Sequence, residues 1–143
     1  LFTKPNLYCM SQINVLLIED NEGDILLMED ILSNNESLNL EIIKDGEKAK
    51  NFFENFNLNK KGENKPNVIL LDINLPKING LKVLNCIRKH ALFAKTPVII
   101  ISTSNNSEEI EEAKTNNANS FVVKDFNPEI FENQILSTLA SCL

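Results

Sequence analysis

Short, continuous apolar runs alternate along this chain with longer segments whose apolar residues recur at helical spacing, and no other feature restricts its fold so strongly. Ile13 to Ile18 is such a run and stops at two acids; Glu22 to Asn34 then carries apolar residues at Ile25, Leu26, Met28, Ile31 and Leu32, a helical stripe. The alternation continues with a strand at Asn39 to Ile43, a helix at Glu47 to Phe56, a strand at Asn67 to Leu71 and a helix at Leu81 to His90. It closes with a strand at Val98 to Ile101, a helix at Ser107 to Asn116, a strand at Ser120 to Val123 and a helix at Pro128 to Ala140. Strands without apolar–polar alternation are buried on both faces, as in a parallel sheet covered by its crossover helices. The pattern therefore predicts an α/β fold with a five-stranded parallel sheet and helices on both faces. Right-handed crossovers favour the strand order 2-1-3-4-5.

Composition removes several classes of function. A chain of 143 residues, 43% hydrophobic, makes one domain that buries about two-thirds of its surface without a disulfide or structural metal. The net charge of −6 argues against direct nucleic-acid binding, which needs a basic face. Four dispersed glycines cannot form a glycine-rich nucleotide cradle, one histidine cannot supply a multi-His metal site, and three cysteines at 9, 86 and 142 lack zinc spacing. The cysteines read as reduced thiols of a cytoplasmic protein, and no apolar run is long enough to span a bilayer. Residues 1–12 read as a poorly ordered extension, with Met10 a plausible start, and 13–143 as the domain. Asn57 to Pro66 is a polar loop ahead of the third strand. The acidic run Glu108 to Glu112 reads as the solvated first turns of a helix, and the abundant asparagine is given no functional weight.

In an open parallel sheet, the loops leaving the carboxyl ends of the strands meet where the strand order reverses, so polar residues just after each strand are the ones to collect. The first strand ends in Glu19-Asp20, the third in Asp72, the fourth in Ser102-Thr103 and the fifth in Lys124. Three carboxylates at one crevice repel one another unless a cation joins them, and oxygen donors without His or Cys select a hard ion, Mg²⁺ in a cell. With Lys124 and the Ser102 hydroxyl beside one carboxylate, the parts for phosphoryl transfer to an aspartate are assembled. Each residue also has an ordinary structural reading: Asp20 or Ser102 as a helix cap, Asp72 as a turn residue, Phe121 as a core aromatic.

The segments VLLIEDNEGD (Val15 to Asp24), ILLDINLPKINGLKVL (Ile69 to Leu84), PVIIISTS (Pro97 to Ser104) and NANSFVVK (Asn117 to Lys124) together resemble the receiver domain of two-component response regulators, over Ile13 to Leu139. The IEDN-x-GD opening, the polar loop before the third strand and D-x-NLPK-x-x-G are most similar to the small stand-alone receivers paired with bacterial phytochrome-type histidine kinases. The resemblance implies a flavodoxin-like receiver fold with Asp72 as phosphoacceptor. Glu19, Asp20, Asp72 and the backbone carbonyl of Asn74 would hold Mg²⁺, and Lys124 would bind the phosphoryl group. Ser102 and Phe121 would form the switch, and Thr103, Ser104 and Asn74 would control access and dephosphorylation. It further implies a sensor histidine kinase or phosphotransfer protein as donor, and an output and dimer face on the fourth helix, fifth strand and fifth helix. The protein would be a phosphorylated signalling module, not a classical enzyme.

Two positions depart from the family's usual pattern. Asp125 stands where a proline joined by a cis peptide usually follows the lysine; since a cis bond without proline costs about 3 kcal/mol, either a strained cis bond or a rearranged loop is expected. Asp125 also adds a carboxylate near Lys124, and Thr103 is bulkier than the usual alanine or glycine. These departures leave a second reading, a receiver that binds partners independently of phosphorylation. A third, a phosphatase of the haloacid dehalogenase type, lacks its second aspartate because Asn74 stands in that place.

Overall fold

The computed structural model describes residues 12–62 and 64–143. Ten elements alternate: β1 (Ile13–Ile18), α1 (Glu22–Ser33), β2 (Leu38–Ile43), α2 (Gly46–Glu54), β3 (Val68–Asp72), α3 (Gly80–Lys89), β4 (Val98–Ser102), α4 (Ser107–Thr115), β5 (Ser120–Val123) and α5 (Pro128–Cys142). The strands form one sheet in the order β2-β1-β3-β4-β5, and every pairing is parallel. The expected extension at residues 1–12 lies, apart from Gln12, outside the described residues. Among those described, no helix is long and apolar enough to cross a membrane.

The side-chain period of two along each strand divides the core. Val15 and Leu17 of β1, Val68 and Leu70 of β3, and Ile99 and Ile101 of β4 face one layer, filled by Ile25, Met28 and Ile31 of α1 and Phe131, Ile135 and Leu139 of α5. Leu16 and Ile18, Ile69 and Leu71, and Val98 and Ile100 face the other, filled by Phe53 of α2, Val83, Leu84 and Ile87 of α3, and Ala113 of α4. Both faces of the central strands are thus apolar, which is why their sequences run without interruption. Phe93 completes the second layer through edge-on contacts with Phe53 and Phe56 at centroid distances of 5.0 and 5.3 Å.

Every helix begins on a side-chain cap, and four of the five caps are asparagine: Asn21, Asn79, Asn106 and Asn127, with Asp45 on α2. Each accepts a hydrogen bond from a first-turn backbone N–H that has no partner within the helix. Four of the chain's 22 asparagines therefore have a local structural role where the sequence showed only bias. Neither Asp20 nor Ser102 is a helix cap.

Two strands run one residue beyond their expected ends, and those residues carry chemistry. Asp72 pairs with Ile101 and Ser102 with Val123, so both are held as the last members of ladders. Helix α3 starts directly behind Asp72: the Gly80 N–H donates to the Ile73 carbonyl at 2.8 Å, and a Cβ at Gly80 would run into the Asp72 carbonyl. Similarly, a Cβ at Gly46 would strike the Ile78 carbonyl, so only glycine lets α2 begin against the loop that follows β3. Gly80→Ala is expected to lower stability by about 1–3 kcal/mol, through overpacking against a backbone that has nowhere to go. Urea denaturation measures this, and a wild-type midpoint would contradict the packing.

Candidate phosphoryl-acceptor site

The carboxyl ends of β1, β3, β4 and β5 open onto a cavity of about 250 Å³ lined by Glu19, Asp20, Asn21, Asp24, Asp72, Asn74, Thr103 and Lys124. Glu19 directly follows β1 and is almost fully buried. Its Oε1 accepts from the Asn21 N–H at 3.1 Å, and its backbone N–H donates to the Ile43 carbonyl at 3.0 Å, which fixes the turn between β1 and α1. Asp72 is equally buried, and its Oδ1 accepts from the Asn74 N–H at 3.1 Å. Asp20 and Asn74 are exposed at the cavity mouth.

Lys124 joins these ends. Its backbone N–H donates to the Ser102 carbonyl at 2.7 Å, which continues the β4–β5 ladder and sends the side chain into the cavity. The ammonium lies 2.7 Å from Asp24 Oδ2, 3.0 Å from Glu19 Oε2 and 3.5 Å from Asp72 Oδ2. Desolvation lowers the Lys124 pKa, but the bonds to Asp24 and the charges of Asp72 and Glu19 outweigh it, so the net shift is upward and the ammonium stays charged. Glu19 moves the other way for a carboxylate: burial, then the nearby Asp72 charge, raise its pKa to about 7 despite Lys124. Four carboxylates thus line a cavity that holds one ammonium, which pairs with three of them, and the cavity is under-neutralised.

One carboxylate oxygen each from Glu19, Asp20 and Asp72 lies within 4.8 Å of the others. All are hard oxygen donors, and with Asp24 they bring four carboxylates to a cavity holding one ammonium, so this set fits a hard divalent cation.

Ser102 and Phe121 lie outside the cavity lining. The Ser102 hydroxyl is wholly buried at the end of β4 and accepts from the Ser104 N–H at 3.1 Å, while Thr103 is exposed and forms part of the wall. Phe121 is half-buried and packs against the layer of α2, α3 and α4. The loop after Lys124 resolves the expectation of a strained or rearranged junction. No cis peptide occurs among the described residues, and the chain turns where Asp125 Oδ1 accepts from the Asn127 N–H at 2.8 Å, just before the α5 cap. Asp125 is exposed and is not an ion-pair partner of Lys124; the additional carboxylate on Lys124 is Asp24. Sequence reasoning missed this role because Asp24 sits in the first turn of α1, where an acid has an ordinary explanation in the helix dipole.

The arrangement is that of a signalling domain, and the chain belongs to the response regulator receiver domain family, whose model matches residues 15–136. Receiver domains of this family are signalling components of two-component systems. Within that family the chain is similar to response regulator Rcp1 of Synechocystis sp., being 32% identical over 118 residues that cover 79% of this chain and 77% of the relative. Among solved structures it resembles the phosphorylated cyanobacterial phytochrome response regulator RcpA, with a TM-score of 0.81, 28% identity, and coverage of 92% of this chain and 93% of that one. The Mn²⁺-bound form of response regulator Rcp1 superposes with a TM-score of 0.79 at 28% identity, covering 87% and 90% of the two chains.

The raised pKa of Glu19 has a defined sign. The folded chain holds this proton more tightly than the unfolded chain, so the contribution to stability is full below 4.5 and is lost as pH rises through about 7. A divalent cation would bind the ionised form, so any stabilisation by Mg²⁺ is expected to grow over the same window. Thermal melts with Mg²⁺ and with chelator check this; a Mg²⁺ increment that does not change with pH would contradict it.

Proposed function

We propose that the protein accepts a phosphoryl group from a phosphohistidine onto Asp72 and thereby switches a protein-interaction face. The observation that carries this reading is the Lys124 ammonium, held 3.5 Å from a buried Asp72 carboxylate within an acidic cavity at the switch point of a parallel sheet. An Asp72 carboxylate oxygen attacks phosphorus; the O–P bond forms as the P–N bond to the imidazole breaks, and the leaving nitrogen keeps the electron pair and takes a proton from water. Lys124 then binds a phosphoryl oxygen. Glu19 and Asp20, with Asp72 and the backbone carbonyl of Asn74, would hold Mg²⁺, which when bound would supply positive charge against the transferred group; the likeness to the Mn²⁺-bound Rcp1 structure supports a divalent cation at this end of the sheet.

The Ser102 hydroxyl, buried beside the site, turns toward the phosphoryl group, and Phe121 moves further into the space behind it. Thr103 narrows access to Asp72, and Ser104 and Asn74 flank the approach of hydrolytic water. The donor is a sensor histidine kinase or a phosphotransfer protein, and the similarity to Rcp1 and RcpA favours a phytochrome-type kinase in the cytoplasm. The output face comprises α4, β5 and α5 and suits a second copy of the chain or a target protein. Val123, Phe126 and Ile130 are exposed there, and the Phe126 side chain stands entirely in solvent.

Incubation with acetyl phosphate and Mg²⁺ should add one phosphoryl group, read by intact mass. Asp72→Asn is expected to gain none, and Lys124→Ala to react about a hundredfold more slowly, the usual cost of removing a positioned donor for developing charge. Phosphorylation of Asp72→Asn at the wild-type rate would overturn the reading.

A further inference from the structure

Asp24 takes no part in the phosphoryl chemistry above, yet it makes the shortest of the three contacts to Lys124, at 2.7 Å. An ammonium has three N–H donors, and Asp24, Glu19 and Asp72 occupy all of them. A phosphoryl oxygen reaching Lys124 must therefore displace one carboxylate.

The three differ in what release would cost. The Glu19 side chain is 2% exposed and already bonded through its other oxygen to Asn21, so withdrawing the ammonium would leave a buried charge behind. Asp72 is 5% exposed and carries the incoming group itself. The Asp24 side chain is 34% exposed, has no other ion-pair partner among the described residues, and on release is solvated by water. It sits in the first turn of α1, a hundred residues from Lys124 in sequence, and spans the cavity to reach it.

We propose that Asp24 is a positioning residue that holds the Lys124 ammonium on the α1 side of the cavity in the unphosphorylated chain and yields it when a phosphoryl group arrives on Asp72. This rests on the phospho-acceptor reading and adds a competitor to it. Asp24 keeps the ammonium partly away from Asp72 and Glu19, which leaves those carboxylates available to the cation, and it weakens the hold on the phosphoryl group because the pair must first be broken.

The two consequences have opposite signs, and this separates a positioning role from a merely structural one. In Asp24→Asn the ammonium is free to turn to Asp72 and Glu19. Beryllofluoride, a phosphoryl mimic, is expected to bind at saturating Mg²⁺ about three- to tenfold more tightly, the range for one partly exposed ion pair no longer broken, while Mg²⁺ alone binds more weakly. Asp24→Glu, which keeps the charge, should return both constants toward wild type. NMR titration of the backbone amides gives both constants, and the spectrum reports the fold of each variant. Beryllofluoride binding no tighter in a folded Asp24→Asn, or both constants shifting in the same direction, would overturn the proposal. Wild-type chain that fails to bind beryllofluoride in the presence of Mg²⁺ would instead remove the phospho-acceptor reading, and this inference with it.

Discussion

One ammonium lies within 3.5 Å of carboxylates on the β1 end, the first turn of α1 and the end of β3, and the geometry of the site depends on that contact. Lys124 reaches it because its backbone extends the β4–β5 ladder by one hydrogen bond to Ser102, so the sheet itself aims the side chain. Without the ammonium, Glu19 and Asp72 would be two buried carboxylates facing each other, an arrangement that drives protons onto carboxylates or drives them apart. Burial first, and then the facing Asp72 charge, keep the Glu19 pKa raised even with Lys124 present, and four carboxylates line the cavity around that one ammonium. The site is therefore stable enough to be built and unbalanced enough to take up further positive charge.

The rest of the chain maintains this balance. Both layers of the core are packed so that the strand ends cannot shift independently, and the two close glycine contacts pin the starts of α2 and α3 against the β3 exit. Rigid strand ends carrying polar groups, joined to helices through asparagine caps, concentrate chemistry at one edge of an otherwise apolar sheet. The exposed apolar residues Val123, Phe126 and Ile130 lie along β5, the following loop and the start of α5, in direct chain continuity with Lys124.

The alternation of apolar runs and helical stripes made all ten elements legible, clearest where β3 and β4 are buried on both faces, and right-handed crossovers made the sheet order legible. Glu19, Asp20, Asp72 and Lys124 were legible for the same reason, as polar residues directly after such runs. The Ser102 hydroxyl was located at the correct strand end, but its burial beneath the cavity wall depends on one more ladder pair than the apolar run suggests. Asp24 was not legible: an acid three positions past a cap has a local explanation, and only folding brings it to a lysine a hundred residues away. Asp125, adjacent to Lys124 in sequence, is turned outward by a bond to Asn127, so proximity along the chain misled where proximity across the sheet decided. The asparagine caps were hidden in a composition rich in that residue.

The most direct test of the account is to locate the phosphoryl group chemically. The chain is phosphorylated by a histidine kinase in the presence of Mg²⁺, reduced with borohydride, which converts an aspartyl phosphate to homoserine, and mapped by peptide mass spectrometry. The account predicts homoserine at position 72 alone. Homoserine at another acidic position, or a phosphorylated chain with no reduced aspartate, would contradict it.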